Sequence, residues 1–167
     1  MSSSSGSLTI SGPTGTWRVC SLPNRINNSI TLTKIPGLLY QLPGRVDVGT
    51  DGGATPTADT NVTLTIQPGV IVFGGTGISW LHVNRGNKIN AAGTATNPIV
   101  FTSRDNVLGL NTDSSQGQWG GVVLMGRART TDCSTGTVAA GTCDPSRNQA
   151  VRSEERRVGK ECTNSCR

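Results

Sequence analysis

Three aspartates, Asp47, Asp51 and Asp59, fall inside VDVGTDGGATPTADTN, residues 46–61. Carboxylate oxygens on a flexible glycine-rich loop suit a hard cation, and calcium takes roughly six to eight oxygen ligands. The spacing fits neither the EF-hand loop nor the Gly- and Asp-repeating nonapeptide of calcium-binding β-rolls. Asx turns at a loop corner account for the same residues. No cofactor is therefore expected, and calcium, with these three side chains as its candidate ligands, is the one alternative. Cys133 and Cys143 flank STGTVAAGT, a loop of small residues. A disulfide there closes a loop of about ten residues, contributes nearly ~3 kcal/mol in the chain-entropy model and implies an oxidising compartment. Zinc is disfavoured, since only Asp132 and Asp144 lie nearby and the C-x2-C spacing is absent. Cys20 has no assigned partner.

Acid–base chemistry finds little to work with. All three glutamates, Glu154, Glu155 and Glu161, lie in the last sixteen residues. The remaining carboxylates, Asp47, Asp51, Asp59, Asp105, Asp113, Asp132 and Asp144, fall in apparent loops, whereas glycoside hydrolysis needs two carboxyl groups placed across the bond. The sole histidine, His82, sits between Leu81 and Val83 and is expected on the opposite, solvated face of a strand, with no nameable partner for acid–base work. Arg85, Lys88 and Arg104 read as a basic stripe or, equally, as solvated positions. Trp17, Trp80 and Trp119 have the surface to stack on sugars, although Trp119 in GQWGG reads better as a residue that caps or packs a rung. No P-loop, nucleophile elbow or dinucleotide fingerprint is present. No catalytic residue is therefore assigned. The two Asn-x-Ser/Thr patterns, at Asn27 and Asn61, matter only on a eukaryotic secretory route.

The elements that must position these residues are short runs with period-two alternation, bounded by Gly, Pro, Asn or Asp and rich in Val, Ile and Thr. Strands are predicted over 30–34, 38–41, 45–48, 62–66, 70–73, 80–83, 88–91, 99–102 and 121–125, and no helical stripe is evident. Leu64-Thr65-Ile66-Gln67-Pro68-Gly69 can be set over Leu81-His82-Val83-Asn84-Arg85-Gly86, each an apolar–polar–apolar run, two free positions and a glycine. A second strand follows each glycine, and a Gly-rich corner follows that. Repeated strand–corner–strand units favour an all-β, right-handed parallel β-helix, a solenoid, over a β-sandwich. Apolar residues are too interspersed for a membrane-spanning helix.

The run NVTLTIQPGVIVFGGTGISWLHVNRGNKINAAGTATNPIVFTSRDNVLG, followed by SQGQWGGVVLMGRARTTDCSTGTVAAGTCD, resembles a family of bacterial envelope proteins commonly labelled hypothetical, lipoprotein or multidrug transporter. The shared features are a strand ending in PG, the phrase LxVNRGxKIxAxGTAxxPIVFTS, and QWGGVVLxGRA leading to a loop with two cysteines. They cover about residues 30–145. The resemblance implies a right-handed parallel β-helix exported across the inner membrane, placed in the periplasm, at the outer membrane or outside the cell. It implies no reaction or ligand.

The ends differ from the body. The opening MSSSSGSLTISGPTG has no basic or apolar leader region, and residues 1–14 are expected to be disordered. Residues 152–162, RSEERRVGKEC, match codon by codon the in-frame translation of a short-read sequencing adapter, so 152–167 reads as a non-native tail and 15–151 as a solenoid truncated at its C-terminal end. The formal net charge of +5 loses force as a nucleic-acid signal, because residues 1–151 hold ten Lys and Arg against seven Asp while the tail adds five against three. The expectation is a non-enzymatic envelope scaffold, adhesin or glycan-binding module with glycan or envelope components as partners and no defined oligomeric state. The alternative is part of a polysaccharide lyase or hydrolase whose active residues lie beyond the truncation.

Overall fold

The structure, a computed structural model, describes residues 8–53, 56–127, 137 and 140. Twelve strands lie among them: β1 Thr9–Gly12, β2 Gly15–Ser21, β3 Arg25–Ile26, β4 Ile30–Leu32, β5 Leu38–Leu42, β6 Arg45–Val48, β7 Thr63–Ile66, β8 Ile71–Gly74, β9 Trp80–Val83, β10 Lys88–Asn90, β11 Val100–Thr102 and β12 Val122–Leu124. One short helix, α1 Arg104–Leu108, and a single 3-10 turn at Pro56–Ala58 complete the inventory of described elements. The fold is all-β. The nine expected strands are all present, with ends that differ from the expectation by at most two residues.

Three sheets form. Sheet A runs β1-β2-β5-β8-β11, sheet B runs β3-β6-β9-β12 and sheet C runs β4-β7-β10. From β2 onward the chain visits A, B and C in the same cyclic order, and each strand pairs in parallel with the strand one cycle away. Parallel pairing of this kind does not suit the antiparallel β-sandwich that alternation alone left open. Sheet A is nevertheless mixed, because β1 pairs antiparallel with β2 across the two-residue connection Pro13-Thr14. Residues 9–12, expected within a disordered start, are therefore a strand, and Ile10 on it is buried.

The register stacks apolar side chains into columns. Leu64 pairs with Ile30 on one side and Ile89 on the other, Leu81 with Val46 and Val122, and Val72 with Tyr40 and Phe101. Leu42, Val46, Val48 and Leu64 are completely buried in the resulting core. Full burial of an aliphatic side chain contributes roughly 1.5–3 kcal/mol, so these columns are the main cohesive term between cycles. A smaller cluster of Ile10, Leu39 and Phe73 lies apart from that core, joined by Val107 and Leu108 of α1. Burial on both faces explains why Leu38-Leu39-Tyr40 and Ile71-Val72-Phe73 are continuous apolar runs rather than alternating ones.

The corners explain the sequence repeat and correct its meaning. Leu64–Ile66 belongs to sheet C and Leu81–Val83 to sheet B, so the two copies are not stacked cycles. What they share is a turn. The amide of Val70 donates to the carbonyl of Gln67, and that of Asn87 to Asn84, with φ of 76° at Gly69 and 79° at Gly86. A positive φ at the third residue defines a type II turn, and glycine adopts it at no steric cost. Ile35-Pro36-Gly37-Leu38 is a third copy, with Gly37 at 72°.

Candidate functional site

Sheet B turns one face to the core through Val46, Val48, Leu81 and Val83. Alternation then puts Arg45, Asp47, Trp80 and His82 on the other face. The parallel register sets Asp47 directly beside His82. His82 Nδ1 lies 2.8 Å from Asp47 Oδ1 and 3.0 Å from Arg45 Nη2. Arg45 also grips Asp47 with both arms of its fork, Nε to Oδ2 at 2.9 Å and Nη2 to Oδ1 at 2.7 Å, and Asn84 Nδ2 donates to Oδ1 at 2.9 Å. Burial pushes the Asp47 carboxyl up, but the hydrogen bonds from Arg45, then His82 and Asn84, with the Arg45 charge, outweigh it and hold the group below its ordinary value. His82 is buried, at 6% exposure, which corrects the expectation of a solvated strand residue. Its partner is Asp47, a neighbour in space thirty-five positions away that alternation cannot reveal.

The two contacts of Nδ1 demand opposite proton placements. Arginine only donates, so Nδ1 accepts from Arg45 when the ring is neutral with its proton on Nε2, and donates to Asp47 when Nδ1 carries the proton. A carboxylate-oriented imidazole is the elementary unit of general-base chemistry. Among the described residues, however, no third His, Cys, Asp or Glu joins Asp47 and His82.

The other two loop aspartates are held separately. Arg85 Nε and Nη2 donate to Asp51 Oδ1 and Oδ2 at 2.6 and 2.8 Å, and the Arg85 side chain is only 7% exposed. Arg127 Nη1 donates to Asp59 Oδ2 at 3.0 Å, Nη2 bonds Oδ1, and Nε donates to the Gly53 carbonyl at 2.9 Å. Asp47, Asp51 and Asp59 are therefore each clamped by a different arginine rather than converging on one point. Asn87 fixes the same corner, donating to the Thr50 carbonyl and accepting from Thr60 Oγ1 and the Val62 amide. With Arg85 buried in its pair and Lys88 exposed on sheet C, no basic stripe forms.

A second locus lies at β11 and the segment that follows it. Ser103 caps α1, its Oγ accepting from the Asn106 amide at 3.0 Å while donating to Gln118 Oε1 at 2.7 Å. Gln118 Nε2 in turn donates to Asp105 Oδ2 at 3.1 Å. This pins residues 116–119 against the helix and leaves a cavity of about 490 Å³, lined by Phe101, Trp119 and the amides Asn106, Asn111, Gln116 and Gln118. The Phe101 and Trp119 rings are near-parallel, 4° apart with centroids separated by 6.3 Å, and both pack against the core. The two glycines of Gly74-Gly75 are not merely a corner: a Cβ on Gly74 would come within 2.7 Å of the Trp119 Cβ, so glycine is what admits the indole. Sequence reasoning anticipated a packed Trp119 but not this cavity, since its amides are scattered over thirteen residues without a motif.

Cys20 is exposed with a free thiol. Cys133, Cys143, Asp132, Asp144 and the whole of 152–167 lie outside the described residues. No described helix is long and apolar enough to cross a membrane.

Residues 40–145 match the family model of the pectate-lyase-like beta helix domain. The match covers more than half of the chain, which belongs to this family. No curated protein and no solved structure matches it.

Proposed function

We propose that this member of the pectate-lyase-like beta helix family is a right-handed parallel β-solenoid, exported to a bacterial envelope, that serves as a non-enzymatic scaffold or glycan-binding module. The cyclic A–B–C order and the parallel register support the solenoid, and the resemblance of residues 30–145 to envelope proteins supports the compartment. A Cys133–Cys143 bridge belongs to the same reading. The observation that carries the non-enzymatic part is the fate of the loop carboxylates. Asp47, Asp51 and Asp59 each face the fork of an arginine. Such pairs hold geometry, and Asp47, whose carboxyl is held below its ordinary value, is a poor proton donor.

A second reading, a polysaccharide lyase or hydrolase, is favoured by one contact, the 2.8 Å approach of His82 to Asp47. Incubating the full chain with neutral and acidic polysaccharides, while following new reducing ends and unsaturated products, separates the two. The non-enzymatic reading expects no turnover, and its glycan-binding form expects retention of the chain on at least one insoluble glycan. Turnover that disappears in both Asp47→Asn and His82→Gln establishes the enzyme instead.

A further inference from the structure

We propose that the cavity between α1 and residues 111–119 is a binding site for an uncharged glycan, a short oligosaccharide of neutral hexoses. This rests on the glycan-binding reading above and adds the site and the chemical class. The space holds about 490 Å³ and is open to solvent along one side, as a groove for a chain of sugars would be. Its lining is polar: Phe101 and Trp119 border it but pack against the core and expose little ring surface to it. Side-chain amides supply paired donors and acceptors for vicinal hydroxyls.

The amides are not equivalent. Gln118 is engaged at both ends, by Ser103 and Asp105, and so positions the wall. Asn106 gives its Nδ2 to Thr102 Oγ1 at 2.7 Å and keeps its carbonyl oxygen. Asn111 and Gln116 make no side-chain hydrogen bond with any described residue, and both are exposed at the cavity. They are the groups left for a ligand.

No lining residue is charged. The space offers a uronic acid carboxylate no cation to pair with. A neutral sugar loses only hydroxyl hydration, which the amides replace. The Asp105 carboxylate on α1 already accepts from Gln118.

The test is equilibrium binding of the full chain to tetrasaccharides of β-1,4-glucose, β-1,4-mannose and α-1,4-glucose, beside tetrasaccharides of uronic acids. Asn111→Ala/Gln116→Ala is the main variant. It avoids Trp119, whose truncation would disturb the fold, and circular dichroism checks that the double variant remains folded. The expected result is binding of at least one neutral tetrasaccharide in preference to the uronates, weakened about tenfold in the double variant, as the loss of two hydrogen bonds predicts. Preference for uronates, or neutral binding unchanged in the double variant, overturns this inference and leaves the glycan-binding reading intact. Absence of binding to every saccharide overturns both and leaves the scaffold alone.

Discussion

The corner of residues 49–62 and the cavity of residues 101–119 are both polar regions on loops, yet they are built on opposite principles. In the corner every strong polar group answers another within the chain: Asp51 to Arg85, Asp59 to Arg127, and Asn87 to Thr50, Thr60 and Val62. In the cavity the polar groups are uncharged, and two amides, Asn111 and Gln116, have no described partner. Closed satisfaction gives rigidity but leaves nothing to offer a ligand. Open satisfaction gives little stability and leaves donors and acceptors free. Substitutions should therefore separate the two regions by their thermodynamic effect before any ligand is known.

The largest difference is expected at Arg85. Its guanidinium is 7% exposed against an Asp51 side chain at 16%, so Arg85→Ala removes the charged partner of a carboxylate with little access to water, which still accepts from the Gly53 amide. Breaking a buried pair from one side costs about 3–5 kcal/mol. Urea unfolding of Arg85→Ala should show a loss in that range, and a loss below about 1 kcal/mol would place the Asp51–Arg85 pair among surface ion pairs, which contribute little.

Next in size is a hydrogen-bonding effect confined to the cavity. Ser103 caps α1 and holds Gln118, and removal of a helix N-cap typically costs about 1 kcal/mol. Ser103→Ala should lose at least that, and should also loosen the cavity wall. Amide exchange read at residues 116–119 would then quicken, whereas exchange at Gly49 and Asn61 in the corner would not. Equal quickening in both would contradict their independence.

A third effect appears only in acid. Asp47 is held below its ordinary value near 3.8, so it binds fewer protons folded than unfolded. A group lowered in this way contributes stability that is fully present above its unfolded value and is lost as pH falls from there through the folded value. Thermal stability should therefore fall below about pH 4, and Asp47→Asn should flatten that part of the profile while lowering the plateau near neutrality. An acid limb equally steep in the variant would assign it to other carboxylates.

How much of this could be read from the chain differs by level. The nine predicted strands were legible because alternation reports burial directly: Val46 and Val48 are buried inward, and the positions between them face the other way. The strands β1, β2 and β3 were not, since Ser, Gly and Arg dilute their pattern and Arg25–Ile26 is too short to alternate. Nor was α1, whose five residues give no stripe, although Ser103 before it and Gly109 after it, at φ 71°, are ordinary cap signals. The repeat was real but reported turn type rather than stacking, because Pro68-Gly69 and Arg85-Gly86 answer the same backbone demand in different sheets. The site was the least legible. Asp47 and His82 meet because the connection between their strands is 31 residues long, a length that no local pattern encodes.

The smallest effect is the sharpest test of the comparison. Gln116→Ala removes an exposed amide whose side chain bonds nothing described, so the change in unfolding free energy should stay within about 0.5 kcal/mol. By itself a null effect is what any surface residue gives. Its force comes from pairing with saccharide binding, because a residue that matters for affinity and not for stability is one whose hydrogen bonds are completed only by a ligand. If Gln116→Ala instead destabilises the chain by more than about 1 kcal/mol, the amide is bonded within the protein, and the cavity is closed on itself in the same way as the corner.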